Sequence, residues 1–338
     1  MSISVESGAD HTGSGFSARR ILASYLELSK ARLGALVVLT ALVGYALGAR
    51  GHLEPWVGLA AVVGTALSAF GANILNQWWE VERDRLMHRT MSRPLPSGRV
   101  DRAVALVWGL VTAAAGLAIL ALGTNALTTG LSLSVILLYV LVYTPLKVRT
   151  PLNTVVGAVC GAIPPMMGWA AATGRLDAGA WILGGVLFVW QIPHFLALAW
   201  MYREDYERGG FRMLPAVDRE GHLTGRLAFV YAAALLPITA ALSAAGVTGA
   251  TFLVASQVIG LAFLALSWIF LRDRSQQSAR RLFLASILYL PVVLGLGVAD
   301  MDHRHDATAP LSGPVVASLV PSAAPVAQTS PPADAAEF

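Results

Sequence analysis

The sequence predicts an all-α polytopic membrane protein of about nine transmembrane helices. Three observations carry that prediction: the apolar composition, the lengths of the charge-free stretches, and the alternation of basic charge between loops. Apolar residues fill 56% of the 338 positions and charged residues only 13%, and the mean hydropathy is +0.62. A soluble domain carries about 25% charge, so this chain lacks the polar surface that water requires. Its length would allow two soluble domains, but the charge distribution favours one membrane bundle.

The charge-free stretches define the spans: Leu33–Ala49, Pro55–Trp79, Ala103–Leu146, Thr150–Gly174, Ala178–Tyr202, Leu227–Leu271 and Leu282–Ala299. A helix crosses the hydrocarbon in about 20 residues, so Ala103–Leu146 and Leu227–Leu271 each hold two helices. Gly123-Thr124-Asn125 and Ala245–Gly249 supply the turns. Segments on the N-terminal side of the resulting bundle contain 21 of the 24 Lys and Arg, and the other side keeps Arg50, Arg175 and Arg304. Basic loops stay inside. The N-terminus is therefore expected in the cytoplasm and the C-terminus outside the cell inner (plasma) membrane.

The ends carry less information. Residues 1–29 read as a cytoplasmic N-terminal segment without the cleavage site of a signal peptide. Arg19 to Arg32 is either a juxtamembrane helix or a plain positive-inside anchor, and the anchor is preferred. Residues 30–299 form the membrane domain. From 300 to 338 the chain is rich in Pro, Ala and Ser, and Leu311 to Val326 is broken by three prolines, the pattern of a disordered tail. The single cysteine, Cys160, excludes an intrachain disulfide and a cysteine metal cluster. The pI near 9.5 follows from orientation and anionic partners, with no nucleic-acid motif beside it.

Polar chemistry gathers in two charged cytoplasmic loops, 80–102 and 203–226, and at the helix ends feeding them. Spacing by three and four places Asn73, Asn76, Glu80 and Asp84 on one helix face, with Glu82 elsewhere. Two carboxylates and an amide at this pitch make an oxygen ladder suited to Mg²⁺, which is usually shared between a few carboxylates and substrate phosphates. The bland reading is a solvated helix end with ordinary i,i+4 pairs. The amides weigh against it, since polar groups near a span need partners. Arg89 and Arg93 follow in a stiff loop with two prolines; Arg suits diphosphate through its planar fork, although orientation charge alone has the same appearance. Lys147 and Arg149 sit between Pro145 and Pro151, with the same two readings. Along the second cluster, Gln191, His194, Leu198, Met201 and Asp205 share a face if the helix continues past Pro193, with Tyr202 at its end. A lone intramembrane His usually satisfies a neighbouring helix; a carboxylate cluster above it keeps ligand binding open.

These segments together resemble the UbiA superfamily of intramembrane prenyltransferases, and within it the protoheme farnesyltransferase (heme O synthase) branch. The superfamily pattern Asn-x3-Asp-x3-Asp reads Asn76-x3-Glu80-x3-Asp84 here, and the Glu is similar to that branch. So are Arg89-Thr90-x-x-Arg93-Pro94-Leu95-Pro96, Tyr143-Thr144-Pro145-Leu146-Lys147, Thr150-Pro151-Leu152-Asn153-Thr154, Gln191-Ile192-Pro193-His194-Phe195 and Met213-Leu214-Pro215. The likeness runs from Lys30 to Ala299. The superfamily's second Asp-x3-Asp is altered, since Asp205-x3 leads to Gly209.

The resemblance implies nine helices around a central cavity, with two carboxylate motifs facing one another beneath the loops and Gly64, Ser68 and Gly71 allowing close helix contact. It implies transfer of the farnesyl group of farnesyl diphosphate to a vinyl group of heme B, with addition of water, giving heme O and diphosphate. Catalytic roles fall on Asn76, Glu80, Asp84, Arg93 and Lys147, and substrate binding on Asn73, Arg89, Arg149, His194, Tyr202 and Asp205. Mg²⁺ would be held by Asn76, Glu80 and Asp84, with Asp205 a further ligand, while heme B is a substrate. The implied partners are farnesyl diphosphate, heme B, the lipid bilayer, and a heme O-modifying enzyme or terminal oxidase; no nucleic acid is among them. Two other classes fit less well: a prenyltransferase of quinone or other aromatic acceptors, and a polytopic transporter, which would more readily show paired broken helices.

Overall fold

The computed structural model describes residues 18–301 of the protein. The helices are α1 (Ala18–Leu28), α2 (Ala31–Ala49), α3 (Pro55–Asp84), α4 (Arg102–Gly123), α5 (Ala126–Leu137), α6 (Thr144–Leu146), α7 (Asn153–Thr173), α8 (Ala178–Met201), α9 (Arg203–Arg208), α10 (Leu214–Val217), α11 (His222–Ala244), α12 (Ala250–Asp273) and α13 (Gln276–Ala299). A π-helical segment, Leu138–Tyr143, joins α5 to α6, so Ala126–Leu146 forms one span. Among the described residues nine helices are long and apolar enough to cross a membrane. Both expected turns are present. Asn125 caps α5 by accepting from the Thr128 N–H, and Gly246 takes a positive φ of 65° in the second turn.

Helix boundaries differ from the charge-free stretches where polar residues complete a turn beyond the apolar run. α3 continues through Asp84, and α11 and α13 begin early at His222 and Gln276. Helical bonds are made inside the segment, so a helix can run on past its apolar stretch. Asp101, Asp177 and Ser275 cap the spans they precede by accepting backbone N–H groups.

Packing is closest where side chains are smallest. A Cβ on Gly71 would overlap the Ala113 backbone, and one on Gly64 would overlap Leu120, so α3 lies flush on α4 as Gly64, Ser68 and Gly71 suggested. Gly44 meets the Pro165 carbonyl in the same way, bringing α2 against α7. The core centres on α8, which packs against α7, α11 and α13, with Leu183, Leu187, Trp190 and Leu196 buried. A small apolar cavity of about 30 Å³ opens between α2, α3, α5 and α7, lined by Val37, Thr65, Ala69, Ala72, Ile136 and Met167 among others.

Both ends of the chain need adjustment. The helix α1 lies before the first span, so the helical reading set aside for Arg19 to Arg32 holds over Ala18–Leu28. The membrane unit also reaches past residue 299. The Asp300 carboxylate accepts the Phe252 N–H and its carbonyl accepts the Gly249 N–H, while Met301 bridges Thr248. From 302 onward the tail expected over 300–338, like residues 1–17, lies outside the described residues.

Candidate active site at the end of α3

α3 carries Asn76, Glu80 and Asp84 one turn apart, each no more than 5% exposed. Carboxylates at such burial persist only when paired. Each rung of this ladder has its own cation. The Lys30 ammonium donates to Asn76 Oδ1 at 3.0 Å. The Lys147 ammonium lies 2.9 Å from Glu80 Oε1 and 3.2 Å from Oε2, and only the second contact has hydrogen-bond geometry. Arg93 Nη1 donates to Asp84 Oδ2 at 2.8 Å. The structure thus brings together Asn76, Glu80, Asp84, Arg93 and Lys147, all five of which the sequence reading grouped, and adds Lys30.

Lys30 is held by strain. Its backbone is left-handed, at φ 50° and ψ 49°, between α1 and α2, a conformation costing a non-glycine residue roughly 1–2 kcal/mol. Two amides of α3 secure that turn: Asn73 Nδ2 donates to the Ser29 carbonyl at 3.1 Å and Gln77 Nε2 to the Leu28 carbonyl at 2.5 Å. Asn73 Oδ1 also accepts from the Tyr139 hydroxyl at 3.4 Å. Asn73, expected to bind substrate, has both ends of its amide engaged, and its place is beneath Lys30. The sequence signal for Lys30 was the single lysine before the first span, hidden inside the positive-inside count.

Lys147 is placed by the π-helical segment. Pro145 lacks the N–H that a regular α-helix would supply there, and the wider π turn is a recurrent feature of functional sites. The Thr144 hydroxyl donates to the Tyr139 carbonyl at 2.8 Å and accepts from Asn76 Nδ2 at 2.9 Å, tying the segment to the ladder. Tyr139 and Tyr143 stack with centroids 5.2 Å apart, and the Lys147 ammonium lies 4.6 Å over the Tyr143 ring.

The loop after α3 folds back on the ladder, since the Thr90 hydroxyl donates to the Asp84 carbonyl at 2.8 Å. Here the second acidic segment enters. The Asp205 carboxylate accepts the His88 N–H at 3.4 Å, the Arg89 N–H, and the Arg208 guanidinium. Arg89 lies 4.6 Å over the Tyr206 ring and 5.3 Å over Tyr202. Arg89, Tyr202 and Asp205 therefore form a latch between two loops. Asp205, expected as a further metal ligand, is engaged here by N–H donors from α9 and from the opposite loop. Arg149 is exposed and makes no described side-chain contact at the ladder. Glu82 stays outside the site as expected, paired with Arg85 at 2.9 Å.

His194 faces another neighbour. Its Nδ1 lies 2.7 Å from the Ser286 hydroxyl of α13, and its ring packs on Trp190 at 5.0 Å and Phe283 at 4.9 Å. Gln191 instead bonds the Leu187 and Ala158 carbonyls, towards α7. The shared face expected for Gln191 and His194 is split between two neighbouring helices.

The charge balance follows from these contacts. Burial, then the Arg93 and Lys147 cations, push the Lys30 ammonium down to about 7, against the pull of Glu80 and Asp84. Burial would lower Lys147 as well, but the Glu80 carboxylate outweighs it and holds the ammonium above the ordinary lysine range. Burial would raise the Asp205 carboxyl, yet Arg208 and the loop N–H groups hold it below the usual range. The ladder fits a divalent ion on two counts. It offers only hard oxygen donors, and Glu80 Oε1, buried beside the Lys147 ammonium at 2.9 Å, makes no hydrogen bond of its own.

Comparison with known proteins agrees with this architecture. Residues 37–288 match the UbiA prenyltransferase family. The chain is 40% identical over 286 residues to the protoheme IX farnesyltransferase of Solibacter usitatus (strain Ellin6076), covering 82% of this chain and 98% of that one. It is 46% identical over 268 residues to the mitochondrial protoheme IX farnesyltransferase of Homo sapiens, covering 79% of this chain and 60% of that one. In fold it is similar to a structure of digeranylgeranylglyceryl phosphate synthase, with a TM-score of 0.70 at 16% identity over 82% of this chain and 98% of that one. A UbiA homolog from Archaeoglobus fulgidus bound to DMAPP and Mg²⁺ gives a TM-score of 0.60 at 15% identity, covering 82% and 99%. Helix count, arrangement and extended sequence identity converge: this multi-pass membrane chain belongs to the UbiA prenyltransferase family.

Proposed function

We propose that the chain transfers the farnesyl group of farnesyl diphosphate to a vinyl group of heme B, with addition of water, giving heme O and diphosphate. The reading places it in the cell inner (plasma) membrane, N-terminus in the cytoplasm. The observation carrying it is the cation-paired ladder of Asn76, Glu80 and Asp84, set directly in line with an apolar cavity. Thr65, Ala69 and Ala72 line that cavity and lead at helical spacing to Asn76 on the same face of α3. A substrate with a greasy chain and a charged head needs both environments. The acceptor reading draws on relatives named protoheme IX farnesyltransferase at 40% and 46% identity.

In this mechanism the prenyl chain lies along α3 and the diphosphate meets Lys30, Arg93 and Lys147. Breaking the allylic carbon–oxygen bond leaves the electron pair on diphosphate, and fixed cations stabilise that charge more than the ground state. Mg²⁺ held by Asn76, Glu80 and Asp84 would supply further neutralisation of the diphosphate oxygens. The allylic cation takes the vinyl π electrons, water adds to the resulting cation, and one proton is released. The apolar walls keep water from the first cation.

In this reading His194 would serve the acceptor. The Ser286 hydroxyl donates to the Phe283 carbonyl at 2.6 Å, so its oxygen accepts from His194 Nδ1–H. That leaves the Nε2 lone pair free to ligate heme iron, the arrangement usual for metal-binding histidines. Arg89, Tyr202 and Asp205 act by holding the loop that carries Arg93. Heme O would pass to a modifying enzyme or terminal oxidase, checked by co-purification from membranes.

Incubation of the purified protein with labelled farnesyl diphosphate and heme B tests the reading. Labelled heme O is the expected product. Label appearing only in a quinone acceptor would overturn the heme assignment while keeping the prenyltransferase. His194→Ala should change the absorption spectrum of bound heme, and an unaltered spectrum would remove iron ligation.

A further inference from the structure

Every proposed metal ligand on α3 is already bound to an internal cation. Asn76 Oδ1 accepts from Lys30 at 3.0 Å, Glu80 from Lys147 at 3.2 Å, and Asp84 from Arg93 at 2.8 Å. The cations come from three separate segments: the turn before α2, the turn after α6, and the loop after α3. When all are protonated, three positive groups face two carboxylates, so the site carries an excess of positive charge before any ligand arrives. A divalent ion entering alone would have to displace ammonium from Asn76 and would add its charge to a cationic enclosure of low dielectric. A diphosphate entering alone would find the cations facing the ladder instead.

We infer that Lys30 is a place-holder that makes metal and diphosphate bind as a unit. It occupies Asn76 Oδ1 in the empty site and transfers to a diphosphate oxygen when the metal takes that amide oxygen. Each ligand removes the obstacle to the other. Metal relieves the cations of their ladder partners, and diphosphate supplies the negative charge that the displaced ammonium needs. Two further observations fit an exchanging role. Lys30 sits on a strained left-handed backbone, as residues at switching sites often do, and its turn is fixed by Asn73 and Gln77 while its side chain rests on a neutral amide. Lys147 and Arg93, by contrast, meet carboxylates. The ammonium on Asn76 gives up the weakest of the three partners.

The inference rests on the proposed metal site, and the test separates the two. Mn²⁺ binding to the full chain in detergent is followed by electron paramagnetic resonance, with and without inorganic pyrophosphate. In the wild type, pyrophosphate should tighten Mn²⁺ binding by about 5-fold or more, and Mn²⁺ should tighten pyrophosphate by the same factor, within the usual range of coupling. Lys30→Met should bind Mn²⁺ alone several-fold tighter than wild type and lose most of the coupling; Lys30→Arg should restore it. If Lys30→Met does not fold, Lys30→Gln reads the same quantities with a neutral donor. Wild-type coupling in the neutral variant, or absent coupling in the wild type, overturns the inference. A different result would sink the metal site itself: Glu80→Gln binding Mn²⁺ as wild type does in the presence of pyrophosphate.

Discussion

The two acidic segments, one ending α3 and one in α9, differ in where their partners come from. Asp84 and Glu80 are matched by Arg93 and Lys147, the second of them 67 residues away from Glu80 in sequence. Asp205 is matched by Arg208 three residues on and by backbone N–H groups of the opposite loop. A carboxylate met by side-chain cations has partners for which substrate charge could compete. A carboxylate filled by local and backbone donors forms a fastening. Acidic residues alone do not distinguish the two; their partners do.

The comparison breaks most visibly at Glu80. Glu80→Gln should lower farnesyl transfer by about 10²- to 10³-fold, the loss typical of removing one preorganised electrostatic contact, measured with labelled farnesyl diphosphate in protein of unchanged helical content. Lys147→Met comes next. It strands a buried carboxylate and should cost about 3–5 kcal/mol of stability, seen as a lowered thermal midpoint, and adding Glu80→Gln should recover most of it. If the double variant stays as unstable as the single, the pairing does not stabilise the fold.

The latch should respond more gently. Asp205→Asn keeps the shape but removes the charge, and should cost about 1 kcal/mol, read as faster amide exchange at His88 and Arg89. Because its folded carboxyl is held below the ordinary range, its contribution is complete above the unfolded carboxylate pKa and disappears as pH falls through the folded one. Wild-type protection of these amides, relative to intrinsic exchange at each pH, should fall over that acid window, and Asp205→Asn should not respond. The smallest effect belongs to Glu82→Gln. That carboxylate is exposed, and stability should move by no more than about 0.5 kcal/mol; a large loss would show that the ladder extends round the helix.

The nine spans were legible because each depends on local facts, a run of apolar residues and the charge of the loop beside it. The ladder was legible for a similar reason, since Asn76, Glu80 and Asp84 lie on one helix at its own period. What the sequence withheld were contacts between segments. Lys30 looked like one more basic residue until Asn73 and Gln77 were seen holding its turn. The π-helical segment has no composition of its own and depends on Thr144 bridging the Tyr139 carbonyl and Asn76. Asp205 carried the position of a second acidic motif, and its acceptance of the His88 N–H joins segments 117 residues apart, which no local pattern shows.

The three origins of the ladder's cations also fix an order of biogenesis. Lys30 leaves the ribosome before Asn76, and Arg93 only nine residues after Asp84, but Lys147 follows Glu80 by 67 residues and two more membrane insertions. Until the turn after α6 arrives, the C-terminal end of α3 holds a carboxylate without its counterion. A chain arrested before residue 147 should stay exposed to membrane quality-control proteases, and one released just beyond it should be the first to close its site.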